Sequence, residues 1–196
     1  MKAKKEDKAG QVLRRISYEA TKRFLPIIGE GGKGELLERV VKEKKPRLAL
    51  EIGTLVGYSA IKIIRNLPRG SRLVTLEISP QTAAVARKNL EEAGMAEQAE
   101  IVVGSALKTI PKLKDKVGKR KFDFVFIDAA KDEYLDYLLL LEKNKLLDEK
   151  AVIVADNVKM FRDAVANYLD YMHNSGKYSS SYHDFGNDGV EVSNKL

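Results

Sequence analysis

The chain has 196 residues, about the length of one domain, and its 44% hydrophobic and 32% charged residues mark a folded, globular chain rather than a disordered one. It contains no cysteine and only two histidines, which excludes disulfides, thiolate metal sites, a cysteine nucleophile and a histidine-rich zinc site; any metal must be held through oxygen, which points to Mg²⁺ or Ca²⁺. The net charge of +7 is scattered, apart from a Lys-rich N-terminus and residues 112–121, and reads first as a solvated Lys/Glu surface and second as attraction to RNA.

Residues 1–10 are polar, lack the apolar stretch of a secretory signal and are expected to be flexible. With no apolar run near the ~20 residues of a membrane span, a cytoplasmic protein with no membrane partner is expected. Residues 11–25 have amphipathic helical spacing; Gly29, Gly31, Gly32 and Gly34 interrupt it, and a second helix over 35–44 ends before Pro46. Residues 47–52 form a short apolar run ending at a glycine, which predicts a buried strand. A helix over 59–66, the turn Pro68-Arg69-Gly70 and a strand over 72–77 follow. The helix over 80–93 is closed by Gly94 as a C-cap.

Beyond it come a strand over 99–103, a short helix over 106–113 with a charged loop, and a strongly apolar strand over 122–128. A helix over 134–146, a strand over 151–156 and a helix over 162–172 complete the alternation. Two last strands, 179–185 and 190–193, flank Gly186-Asn187-Asp188-Gly189, a sequence suited to a hairpin. The order predicts one α/β domain over residues 1–196: a Rossmann-like, doubly wound, mostly parallel seven-stranded sheet with an antiparallel C-terminal hairpin and helices on both faces.

Four strand ends carry chemistry. The first strand runs into Gly53, then Gly57-Tyr58-Ser59 opens a helix, placing a glycine loop at the carboxyl edge of the sheet, where ligands bind in doubly wound folds. By spacing alone this reads equally as an ordinary strand-to-helix turn. Glu77 then closes the second strand, where an acid can accept both hydroxyls of a ribose, and the pair favours an adenosine-containing ligand. Asp128 ends the fourth strand and Asp156-Asn157 the fifth, so two carboxylates and an amide converge on the same rim. They are hard oxygen donors suited to Mg²⁺, although any one of them alone reads as a turn or cap residue. Lys131 follows Asp128. A lysine with pKa ~10.4 is a poor base at neutral pH, and a neighbouring divalent cation would favour its neutral form; spacing alone leaves it a surface residue.

Taken together, Leu50-Glu51-Ile52-Gly53 with Gly57-Tyr58-Ser59, Leu76-Glu77-Ile78-Ser79-Pro80, the run from Ile127 to Tyr134, and Val154-Ala155-Asp156-Asn157-Val158 resemble the class I S-adenosylmethionine (SAM)-dependent methyltransferases, specifically the catechol O-methyltransferase-like group. The resemblance implies that Gly53, Gly57, Tyr58 and Ser59 hold the methionine part of SAM, and that Glu77 takes the ribose and Ile78 the adenine. It further implies cofactor contacts at Ile28, Ala106 and Asp128. Mg²⁺ would sit on Asp128, Asp156 and Asn157, with Lys131 as the catalytic base.

The substrate wall departs from that group. There is no tryptophan; Phe24 and Ala130 stand in the tryptophan positions, Phe161 replaces a gating proline, and Tyr182 takes the place of a substrate-contacting glutamate. The implied activity is Mg²⁺-dependent methyl transfer to a hydroxyl of a small catechol-like or vicinal-diol molecule. The alternatives are a methyltransferase for a hydroxylated base of tRNA, which the positive charge would suit, and a non-catalytic SAM-binding protein. A homodimer is the assembly to test.

Overall fold

The computed structural model describes residues 7–29 and 31–196. In chain order they form α1 (Lys8–Arg23), α2 (Lys33–Lys44), β1 (Leu48–Ile52), α3 (Tyr58–Ile64), β2 (Arg72–Glu77), α4 (Pro80–Glu92) and β3 (Ala99–Val103). Next come α5 (Ala106–Thr109), α6 (Leu113–Val117), β4 (Phe122–Ile127), α7 (Tyr134–Lys143), β5 (Leu147–Ala155), α8 (Ala166–Asn174), β6 (Tyr178–Phe185) and β7 (Asp188–Lys195).

The described strands build one seven-stranded sheet in the order β3-β2-β1-β4-β5-β7-β6. β1 to β5 run parallel, and β7 pairs antiparallel with both β5 and β6, so the sheet is the mixed, Rossmann-like one expected. Strands that alternate with helices must cross over, and the crossovers bury both sheet faces. Alternate residues accordingly feed two cores. Phe124 and Phe126 join Val12, Leu37, Ile61 and Leu90 on one face, while Val125 and Ile127 join Leu113, Tyr134, Leu138 and Met172 on the other. From β1 the chain winds outward to β2 and β3, then returns to place β4 on the other side of β1. That reversal opens a crevice beyond the carboxyl ends of β1 and β4.

The boundaries differ from expectation where charge hides the pattern. The expected flexible lead covers residues 1–10; residues 1–6 lie outside the described residues, and Lys8 to Gly10 form the first turn of α1. That turn is capped by Asp7, whose Oδ1 accepts from the Gly10 N–H at 3.0 Å. β5 starts at Leu147, four residues before the apolar run, because Glu149 and Lys150 face solvent within the strand. α8 starts at Ala166 rather than at residue 162, because the chain first spends two turns leaving the sheet: Phe161 N–H bonds to Asn157 O and Val165 N–H to Phe161 O. The expected helix over 106–113 splits into α5, a 3₁₀ turn forced by Pro111, and α6. No described helix is long and apolar enough to cross a membrane.

Phe126 is fully buried, one residue before the end of β4. Phe126→Ala should lower unfolding free energy by about 3–5 kcal/mol, read as a shift of the urea midpoint, because the core can only partly collapse around the missing ring.

Candidate active site

The crevice above β1 and β4 is a cavity of about 780 Å³, within the range of small-molecule sites. Its floor is set by ladder bonds that run past the strand ends: Asp128 N–H bonds to Ile52 O at 2.9 Å and Asp156 N–H to Ile127 O at 3.0 Å. Position 53 must be glycine here. Its φ is +101°, and a Cβ would lie 2.1 Å from the Asp128 carbonyl oxygen, so the loop after β1 and the end of β4 touch backbone to backbone. Gly57, at φ +84°, turns the chain into α3 and packs against Ala86 of α4 rather than lining the cavity.

At one end, Glu77 is buried and its carboxylate is preset. Oε2 accepts from the Leu55 N–H at 2.7 Å and Oε1 from the Ser79 N–H at 2.9 Å. Each oxygen keeps a lone pair for a ligand hydroxyl. Ile78, beside it, is 72% exposed at the mouth and forms an apolar ledge. Ile28, Gly53, Tyr58, Ser59, Ala106 and Asp128 also line the cavity. Beneath this end lies Glu51, fully buried in β1, taking a hydrogen bond from Thr75 at 2.5 Å. Among the described residues no donor completes a bond to its Oε1. Burial pushes its pKa up to about 8; hydrogen bonds from Ser59 and Thr75 oppose the rise, and the charges of Asp128 and Glu77 add to it.

At the other end the rim is anionic. Asp128 and Asp156 follow paired residues of neighbouring strands, Ile127 and Ala155. Burial first, and then the Asp128 charge, push the Asp156 carboxyl up. Each carboxylate has drawn an ammonium: Lys131 Nζ lies 2.7 Å from Asp128 Oδ1, and Lys33 Nζ lies 2.9 Å from Asp156 Oδ1. Lys131 also donates to the Tyr134 hydroxyl at 2.9 Å, which donates to the Asp156 carbonyl at 3.1 Å. Burial holds the Tyr134 pKa well above its usual value, so that hydroxyl keeps its proton. Asn157 adopts a left-handed backbone (φ 63°) and gives its Nδ2 to Asp188 at 2.5 Å. Among the described residues no three His, Cys, Asp or Glu side chains gather as a cage. The donor set is two carboxylates and one amide. It collects cations, and its hard oxygens fit a divalent ion such as Mg²⁺.

The structure thus brings Lys131, Asp128, Asp156 and Asn157 together at one lip, with Glu77 in the same cavity. It divides the four residues expected at the substrate wall. Ala130 and Phe161 line the cavity, joined by Tyr137 and Met160. Phe24 is 94% exposed at the end of α1 and Tyr182 lines a separate hollow beside α8, so neither lines this cavity. Three groups lie at the site without a sequence assignment to it. Lys33 sits in the glycine-rich stretch, Asp188 in what reads as a hairpin turn, and Tyr134 reads as core packing. Only the hydroxyl of Tyr134, spaced three residues from Lys131 on a helical start, had a local signal.

Residues 3–177 match the model of a family described as O-methyltransferase. Catechol O-methyltransferase B of Danio rerio is 42% identical over 150 residues, 76% of this chain and 56% of that protein. Catechol O-methyltransferase of Bos taurus is 36% identical over 181 residues, 89% of this chain and 65% of that protein. The chain therefore spans less than two thirds of the length of either. Among solved structures, the O-methyltransferase from Bacillus cereus in complex with SAH superposes with a TM-score of 0.82 at 28% identity, covering 100% of this chain and 94% of that one. An O-methyltransferase of tomaymycin synthesis from Streptomyces achromogenes, in complex with SAM, gives 0.83 at 28% identity, covering 100% and 92%.

Glu51 makes a pH-dependent contribution to stability. The unfolded chain releases its proton near 4.5, and the folded chain holds it until about 8. The folded state therefore binds the extra proton, and the stability that Glu51 contributes is fully present below 4.5 and is lost as pH rises through that window. Glu51→Gln should remove this slope. Its unfolding free energy should gain on the wild type by up to about 1.4 kcal/mol per pH unit between pH 5 and 8, measured by urea melts. Parallel pH profiles for the two proteins would show that Glu51 ionises normally.

Proposed function

The chain belongs to the O-methyltransferase family, and we propose that it transfers the methyl group of SAM to a hydroxyl oxygen of a small catechol-like or vicinal-diol acceptor, using Mg²⁺. The observation that carries this reading is the placement of Lys131 against Asp128, at the lip shared with Asp156 and Asn157 and in the same cavity as Glu77. Glu77, with both oxygens fixed by backbone N–H groups, would hold the ribose of SAM without reorganising. Ile78 and Ala106 offer apolar surface for the adenine, and the Gly53 loop lets the methionine part approach the backbone.

A divalent ion on Asp128, Asp156 and Asn157 would lower the pKa of an acceptor hydroxyl and favour the neutral amine of Lys131. Lys131 takes the hydroxyl proton at Nζ. The acceptor oxygen forms its bond to the methyl carbon as the carbon–sulfur bond breaks, and S-adenosylhomocysteine (SAH) leaves with a neutral sulfur. Tyr134, held to the Asp156 carbonyl, keeps the Lys131 Nζ aimed at the lip. The chain's main contribution is alignment of the two reacting groups, with water excluded by the apolar walls.

The nature of those walls supports a small aromatic acceptor. Ala130, Tyr137, Met160 and Phe161 frame the cavity beside Lys131. The two cations at this rim, Lys33 and Lys131, are committed to carboxylates, and Lys159 nearby is bonded to Asp184, so the rim offers little to an RNA backbone. What favours the tRNA reading in this chain is its net charge of +7.

The test is methyl transfer from labelled SAM to a panel of catechols, flavonoids and tRNA, with and without Mg²⁺. Lys131→Met should lower kcat by roughly 10²–10⁴-fold, the usual worth of a positioned base. Asp156→Ala should abolish Mg²⁺-dependent turnover and leave SAH binding within about twofold. Full activity of Asp156→Ala in excess EDTA would sink the metal part of the proposal.

A further inference from the structure

Asp188 is the first residue of β7 and is 6% exposed. Its two carboxylate oxygens have different work. Oδ1 accepts from the backbone N–H groups of Gly189 at 2.8 Å and Met160 at 3.2 Å, which fixes the carboxylate to the hairpin and to the segment after β5. Oδ2 accepts from Asn157 Nδ2 at 2.5 Å and from Lys33 Nζ at 2.7 Å.

Two consequences follow for the lip of the cavity. An amide whose nitrogen is committed to Asp188 presents its oxygen as the group left to accept. Lys33 Nζ, which lies 2.9 Å and 3.1 Å from the two oxygens of Asp156, is shared with a second anion rather than left to Asp156 alone. A ligand set is only as well aimed as the groups that hold its members, and losing such a holding group commonly costs 10- to 100-fold in metal affinity.

We propose that Asp188 is the positioning residue of the cation site: it orients the Asn157 amide so that its oxygen serves as the third ligand, and shares the Lys33 ammonium with Asp156. This rests on the cation-using reading above. Asp188 touches neither acceptor nor SAM in that role; it acts through Asn157 and Lys33.

The experiment is a titration of the full chain with Mn²⁺, read as loss of the free-ion signal in electron paramagnetic resonance, with SAH affinity measured in parallel. Asp188→Asn places an NH₂ group against one of the two donor pairs, and its Mn²⁺ dissociation constant should rise 10- to 100-fold while SAH affinity moves less than about twofold. Lys33→Met removes a competing cation and leaves the bond between Asp188 and Asn157 in place, so it should bind Mn²⁺ at least as tightly as the wild type. Unchanged Mn²⁺ affinity in Asp188→Asn overturns the inference. So does an equal loss in Lys33→Met, which would assign the effect to Lys33, or a matching loss of SAH affinity, which would make Asp188 a support of the fold. Wild-type chain that fails to bind Mn²⁺ overturns the cation-using reading itself, so the two failures are distinguishable.

Discussion

Two carboxylates, Asp128 and Asp156, end neighbouring parallel strands and are held side by side at the edge of a buried sheet. Like charges at such a place are costly, and the register of β4 against β5 gives them no freedom to part. Positive charge must therefore be brought to the rim, and much of the surrounding architecture does so. Lys131 comes from the turn that leaves β4. Lys33 comes from the first turn of α2, more than a hundred residues earlier in the chain than the carboxylate it meets. Both ammonium groups are mostly withdrawn from solvent, so their pairing with the carboxylates is worth more than that of surface ion pairs.

The same constraint ties the C-terminal hairpin to the site. β7 pairs antiparallel with β5 and so brings Asp188 to the level of Asn157. Val158 N–H bonds to Gly189 O at 3.0 Å, closing the link through backbone as well. An antiparallel hairpin on a parallel sheet could serve merely to cover an edge. Here it delivers a buried anion to the Lys33 ammonium and the Asn157 amide, which both bond to Asp188 Oδ2. Charge at the lip is thus balanced by segments from the beginning, middle and end of the chain, and the local geometry depends on the whole sheet being assembled.

What could be read from the sequence follows the same division. Asp128, Asp156, Asn157 and Glu77 each stand at the end of an apolar run, and a strand end is a position that sequence pattern can locate. The alternation of strands and helices placed those ends at one edge, and the sheet has that order. Lys33 and Asp188 lie in glycine-rich turns, where no periodicity reports which way a side chain faces. They are 155 residues apart, and only the fold brings them to 2.7 Å. Tyr134 hid differently: its ring belongs to the core, edge-on to Tyr168 at 5.8 Å, while its hydroxyl belongs to the site. Hydrophobic spacing detects the first role and is blind to the second. Phe24 and Tyr182 were placed at the substrate wall by resemblance alone, in segments without a strand end to anchor the alignment, and the structure puts both elsewhere.

The two halves of the cavity consequently differ in rigidity. Glu77, Gly53, Asp128 and Asp156 sit on strand ends locked by ladder hydrogen bonds, and sites on such elements hold their geometry closely. Met160 and Phe161 lie in the turn segment between β5 and α8. This segment bonds to itself through Asn157 and Val165, and to the hairpin through the Met160 N–H. Their side chains are about half exposed, and a methionine adapts its shape at small cost. A wall of this kind fits one flat apolar ring about as well as another, whereas two hard-ligand carboxylates and a fixed lysine demand a particular oxygen arrangement. On the proposed reading, acceptor choice would rest more on the chemistry of the hydroxyls that reach Lys131 than on the shape of the ring that carries them.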